Sequence, residues 1–292
     1  MKDNRSRIIE KIFAARNEQG LWKTIPKSHP YYPDYLHYVP NYQASLWTLL
    51  LLAELQCDPK DERVKKPLQA VKDHLFDESY GIYSLQEDHF PIPCLNGNLL
   101  FLDCYFNGEP DERSQRLLQF FIKNQRFDDG KYETPKNQFC TNTSCYGKHT
   151  CYWGVVKLLK GISFIPQAHR NEEILELRDK CIAFILKHKV CFSSRNPSKI
   201  MIKKLDLLTF PNFYKGDFLE ILWLLKRERI QSELLTPALA LLKSKQLDNG
   251  AWSLERKMSN MVVSVGQVNQ VNQFVSERAT EVLAFYENSL SL

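Results

Sequence analysis

A glycine followed two residues later by an aromatic side chain, set after polar turn residues, occurs four times along the chain. The copies are "NEQGLWKTI" at Gly20–Trp22, "DESYGIYSL" at Gly81–Tyr83, "DDGKYETP" at Gly130–Tyr132 and "LDNGAWSLE" at Gly250–Trp252. The glycines are 81−20=61, 130−81=49 and 250−130=120 residues apart, the last being two steps of about 60. A repeat at this spacing dictates architecture before any single residue does. The missing copy falls near residue 190, where "LKHKVCFSSRN" follows a helical run but has lost its glycine. It reads as a degenerate unit.

Each unit holds two helices of different character. One is amphipathic, with Lys and Glu between apolar residues at helical spacing, as in "DERVKKPLQAVKDHLF" and "DERSQRLLQFFIKNQ". The other is apolar nearly all round, as in "SLWTLLLLAEL", "CLNGNLLFLDCYF", "TCYWGVVKLLKGISFI", "FLEILWLLKR" and "ERATEVLAFY". The second kind suits a helix buried on most sides. Alternation of the two predicts a ring of about five helical hairpins, an inner barrel inside an outer layer, with no strand of any length. With only 11 glycines and 14 prolines in 292 residues, the composition also favours helix. The expected fold is all-α, one domain over residues 1–292.

The chain carries a net charge of +5, spread along its length rather than gathered in a stripe, which argues against nucleic acid as partner. The most apolar window, "SLWTLLLLAEL", is too short to span a bilayer. With no secretory-type leader, a cytoplasmic location is expected, and the eight cysteines read as thiols or metal ligands rather than a disulfide framework.

Two cysteines and a histidine, Cys145, His149 and Cys151, stand within seven residues in "CYGKHTC", directly ahead of an apolar helix. Thiolates and imidazole suit tetrahedral zinc, whereas Cys140 with Cys145 offers a redox pair. The third reading is the polar lip of a core helix.

The Gly-x-Trp/Tyr signature with Gln or Asn upstream ("NQRFDDGKY", "KQLDNGAW") resembles the repeat of squalene and terpenoid cyclases and of protein prenyltransferase β subunits. That resemblance covers nearly the whole chain and implies an α/α toroid, whose cavity is lined near the N-termini of its inner helices. "KHTCYWGVVKLLKGI" is similar to the prenyltransferase segment whose histidine binds catalytic zinc, here His149. The family's cysteine ligand, one repeat earlier, falls on Cys94. Its aspartate, two residues before that cysteine, is Ile92 here, so Cys145 and Cys151 are the candidates to replace it.

The other inner-helix starts supply Asn41 and Gln43, Asn96, Tyr214, Lys215 and Asp217, and Glu277 and Arg278, with Trp153 facing the expected cavity. Asn96 and Asp217 also suit helix capping. In the transferase-like reading Cys94, Cys145, His149 and Cys151 hold zinc, and Lys148, Lys215 and Arg278 offset anionic charge. Asp217, Tyr214 and Arg278 form the catalytic group, and Asn41, Gln43, Asn96, Trp153, Lys215 and Glu277 bind substrate. The D-x-D-D and D-D-x-x-D motifs of terpene cyclases and synthases are missing, and "FDDG" at Asp128–Asp129 sits in a repeat turn. Two other readings stay open. One is a carbohydrate-active toroid using Asp217 and Glu277 as acid and base. The other is a non-catalytic toroid that holds a small molecule or peptide in its central cavity, with structural zinc.

Overall fold

The computed structural model describes residues 3–85, 90–130, 145 and 149–289. Tyr132, Cys140 and Lys148 lie outside the described residues. The chain divides into two compact units, residues 1–178 with 259–263, and residues 179–258 with 264–292.

The fold is all-α. In the first unit lie α1 (Asn4–Ala14), α2 (Ser45–Glu54), α3 (Lys65–Leu75), α4 (Pro93–Asn107), α5 (Glu112–Asn124) and α6 (Tyr152–Ser163). Helix α7 (Glu172–Lys187) contains the boundary, and α8 (Phe218–Arg227), α9 (Thr236–Ser244) and α10 (Gln273–Ser289) belong to the second unit. Strand structure among the described residues amounts to isolated bridges and one two-residue antiparallel pair. That pair is β1 (Phe76–Asp77) against β2 (Ile82–Tyr83), in register Phe76 to Tyr83.

The predicted alternation of helix types holds. Every residue of α2 and of α6 is buried, and α4 is buried along most of its length. By contrast α1 buries only Ile12 and Phe13, and α9 only Ala238 and Leu242. Helix α10 departs from expectation. It buries Phe274, Val275, Ala279, Val282, Leu283 and Tyr286 while Glu277, Glu281 and Glu287 face water, so it is amphipathic rather than apolar all round.

The repeat signature has a physical cause in each copy. Gly20, Gly81, Gly130 and Gly250 all adopt left-handed backbone, with φ between 66° and 90°. A side chain there would meet its own carbonyl, so glycine is the favoured residue. Trp22, Tyr83 and Trp252 are buried completely or nearly so. The Trp22 indole N–H donates to the Ile12 carbonyl at 2.8 Å, and Trp252 donates to Leu242 at 2.9 Å, each ten residues back. The backbone N–H of each aromatic donates to a side chain on the following helix. Trp22 bonds Ser45 Oγ (3.3 Å), Tyr83 bonds Asn96 Oδ1 (2.7 Å) and Trp252 bonds Ser276 Oγ (2.9 Å). The degenerate copy keeps the left-handed turn without glycine: Lys189 and Val190 have φ of 42° and 73°. A bond from the Val190 N–H to the Ile185 carbonyl closes the end of α7 there.

Helices α4 and α6 touch backbone to backbone. A Cβ placed on Gly97 would lie 2.5 Å from the Lys157 carbonyl carbon, and one on Gly154 would lie 2.6 Å from Pro93 Cβ. Gly161 likewise meets Leu100 at 2.8 Å. Three glycines thus bring the two helix starts into close apposition, and that apposition positions the cysteines.

Candidate functional site

Cys94 is the second residue of α4, and Cys151 is the N-cap of α6. Because Gly154 seats on Pro93, these two helix starts stand side by side. Cys145, from the segment leading into α6, joins them. Its thiol is set against Cys151, and Cys94 lies near enough to add to the rise in its pKa. All three are half-buried, and no disulfide joins them.

Their surroundings separate the three chemically. Cys151 is drawn down to about 7, chiefly because Cys145 donates to its sulfur. The Trp153 and Gly154 amides at the start of α6 add to this, although neither is aligned well enough to be a capping bond. Cys145, the donor, is pushed well above the ordinary thiol range. Burial pushes Cys94 up to about 12, the nearby Cys151 adds to the rise, and the ammonium of Lys157 pulls against it. Alkylation of Cys151 by iodoacetamide should therefore rise through a midpoint near pH 7, with Cys94 unreactive until far more alkaline pH. Cys145→Ala should move the Cys151 midpoint upward, since the donor is gone. A midpoint unchanged in the variant, followed by mass spectrometry, would refute the pairing.

The remaining predicted ligand stands apart. His149 forms an antiparallel bridge with Asp129, and its side chain is 63 % exposed, with Nδ1 3.9 Å from Asp129 Oδ1. Thr150, between His149 and Cys151, has a buried hydroxyl with no hydrogen-bond partner among the described residues. No three His, Cys, Asp or Glu side chains among the described residues form a group that could hold a metal ion as they stand. In donor chemistry the three thiols and His149 suit zinc, and the soft sulfur set excludes magnesium and calcium.

Asn96 serves the repeat turn. Its Oδ1 accepts the Tyr83 N–H, and its Nδ2 donates to the Tyr83 carbonyl at 2.9 Å and to the Ile92 carbonyl at 3.0 Å. Asn41 is exposed, Gln43 is half-buried in the turn ahead of α2, and Trp153 is buried in α6.

In the second unit Asp217 is the N-cap of α8. Its two oxygens accept the Glu220 N–H at 2.8 Å and the Thr209 N–H at 2.5 Å. Glu220, three residues on, places its carboxylate where a side chain on Gly216 would lie. Burial raises Asp217 to about 7, against the pull of those two amides and of Arg278. The Arg278 guanidinium lies over the Trp223 ring at 4.9 Å and the Phe210 ring at 6.0 Å. Lys215 is exposed and sits 5.3 Å over the half-buried Tyr214 ring, whereas Glu277 is exposed and accepts from Gln273.

Sequence reasoning missed the buried cations. Lys157 and Lys160 are fully enclosed in α6, and Lys160 pairs with Glu54 of α2, itself buried. The signal was present in "GVVKLLKGI", where two lysines interrupt an otherwise apolar helix. A charge at such a position needs a partner or a task.

No known family model matches the chain, and no curated protein matches it. Among solved structures, the apo type II terpene cyclase MstE from Scytonema aligns over 99% of this chain and 98% of that one. The identity is 12% and the TM-score 0.34, a likeness too slight to bear on fold or function. No helix among the described residues is long and apolar enough to cross a membrane.

Proposed function

We propose that this chain is a zinc-assisted enzyme of the prenyltransferase and terpenoid cyclase type, its hairpins forming an α/α toroid, acting on an isoprenoid or thiol-bearing substrate. The supporting observation is the convergence of Cys94, Cys145 and Cys151, from two successive repeats, at the paired starts of α4 and α6. These three sulfurs would have to draw closer than they stand to hold the ion. His149 faces Asp129 instead, which leaves a fourth position, as catalytic zinc requires. Bound zinc would lower the pKa of a substrate thiol and keep it nucleophilic. Cys151 contributes a sulfur that loses its proton near neutrality. The Lys157 ammonium, enclosed nearby, favours the ionised form of Cys94. In the second unit, Arg278, Lys215 and Tyr214 offer cationic and aromatic groups to an anionic ligand. Asp217, raised by burial to about 7, gains and loses its proton near neutrality.

A second reading rests on the closeness of His149 to Cys151 in sequence. Should the imidazole turn in, four protein donors would saturate the ion, and zinc would be a structural staple in a toroid that binds without turnover. Elemental analysis of untagged protein separates these readings. One zinc per chain is expected, lost in Cys94→Ser and in Cys151→Ser and kept in His149→Ala. Loss in His149→Ala as well selects the structural reading, and metal-free, well-folded wild type ends both.

A further inference from the structure

We infer that Asn249 is a site of spontaneous deamidation, where the Gly250 nitrogen closes on the asparagine side chain and leaves aspartate or isoaspartate in the last repeat turn. The chain has three Asn-Gly pairs, Asn96–Gly97, Asn107–Gly108 and Asn249–Gly250. Glycine is the neighbour this chemistry favours, because no side chain shields its amide nitrogen. The direction in which each asparagine side chain folds separates the three. Asn96 is 1 % exposed, and its amide is bonded back to the Tyr83 backbone and the Ile92 carbonyl. Asn107, the last residue of α4, is exposed, but its Nδ2 donates to Asp103 Oδ1 one turn earlier at 2.7 Å. Helical side chains lean toward the preceding turn in this way, away from the nitrogen of the next residue. Asn249 is exposed and folds forward: its Oδ1 accepts the Ala251 N–H at 3.1 Å, which carries the side-chain amide across the intervening Gly250 peptide. Asn17 also folds forward, onto the Gln19 N–H at 3.0 Å, but is followed by Glu18. Of these four, only Asn249 combines the forward fold with a following glycine.

The step balances with water alone. The Gly250 N–H, freed from its 2.8 Å bond to the Leu247 carbonyl, gives its proton to hydroxide. The nitrogen attacks Asn249 Cγ, a C–N bond forms, and negative charge gathers on Oδ1. The Ala251 N–H already donates to that oxygen, so it stabilises the charge as it develops. The bond from Cγ to Nδ2 then breaks, and ammonia leaves with a proton taken from water, which restores the hydroxide and closes a succinimide ring. Water opens the ring at either carbonyl. One opening leaves aspartate, and the other leaves isoaspartate, with an added carbon in the main chain. That carbon falls inside the turn closed by the Leu247 N–H on the Ala251 carbonyl at 2.9 Å and by Gln246 Nε2 on the Gly250 carbonyl at 3.0 Å. The same turn leads into the buried Trp252, so the modification accumulates where the repeat is fastened.

The test incubates full-length protein in mildly alkaline buffer at body temperature and follows it by peptide mapping with mass spectrometry. The peptide bearing Asn249 is expected to gain the mass of an amide-to-acid change and to split into aspartate and isoaspartate forms. Asn96 and Asn107 should stay intact. In guanidinium all three Asn-Gly pairs should react, because the sequence then acts without the fold. Glu18→Gly, a change at an exposed turn residue, should add Asn17 as a second site in the folded protein. Deamidation of folded protein first at Asn96 or Asn107, or none at Asn249 once the unfolded chain has reacted there, would overturn the inference. So would a folded Glu18→Gly protein in which Asn249 reacts and Asn17 does not, since the forward fold would then not be what selects the site.

Discussion

Replacing Gly97 by alanine should destabilise the protein by about 3 kcal/mol, the upper range for forcing one methyl group into a packed interior. The added Cβ would meet the Lys157 and Leu158 backbone of α6 at 2.5 and 2.6 Å. Backbone cannot rotate aside as a side chain can, so the helices must separate. Gly108→Ala is the fitting comparison. Nothing lies within 4 Å of a Cβ there, and the only penalty is its φ of 84°. That change should cost about 1 kcal/mol. Urea unfolding of both variants checks the ordering. Equal losses would mean that α4 and α6 are not in the contact described. Gly97→Ala should also raise the Cys151 alkylation midpoint if separation of the helices loosens the Cys145 bond.

Asp103→Ala should be the most damaging charge removal, at about 3–5 kcal/mol, the usual consequence of stripping one partner from a buried ion pair. Asp103 is fully buried in α4 and pairs with the buried Lys72 of α3. Its Oδ2 also accepts the Ser114 hydroxyl at 2.6 Å and the Asp111 N–H at 3.0 Å, and its Oδ1 accepts the Asn107 amide at 2.7 Å. Removing it leaves several donors without their acceptor and the Lys72 ammonium with only the half-exposed Asp111. The exposed pair Lys65–Glu62 makes the contrast, because solvent already screens both charges, and Glu62→Gln should change stability little. Thermal and urea melts decide it. A loss below about 1 kcal/mol for Asp103→Ala would show that the network is not assembled as described.

How far the sequence could be read depended on the range of the interaction involved. The Gly-x-aromatic copies were legible because each satisfies a local demand: a left-handed residue, then a ring that must be buried. The degenerate copy near Lys189 was legible from spacing alone, since its turn survives in non-glycine residues. Helix α10 was misjudged from a ten-residue window, too short to show Glu277, Glu281 and Glu287 collecting on one face. Asn96 shows a deeper ambiguity. A polar residue at an inner-helix start looks alike in sequence whether it meets a ligand or pegs a turn, and here its amide pegs Tyr83. Asp217 is the same case, with its capping role visible in structure through both oxygens. Cys94 was set beside Cys145 and Cys151 only through the resemblance to the prenyltransferase repeat, and the orientation of His149 depends on its bridge to Asp129, which no local rule foretells. Pairing across 106 residues hid Lys160 and Glu54 altogether.

The pegs that fasten the repeat turns come from downstream: Ser45 for Trp22, Asn96 for Tyr83 and Ser276 for Trp252, 23, 13 and 24 residues later. A chain leaving the ribosome therefore cannot finish any of these turns with what has already emerged. Each stays provisional until the next inner helix clears the exit tunnel, so the hairpins are latched one after another in the order of translation. Truncation after any aromatic would leave the last turn unlatched while those before it are complete.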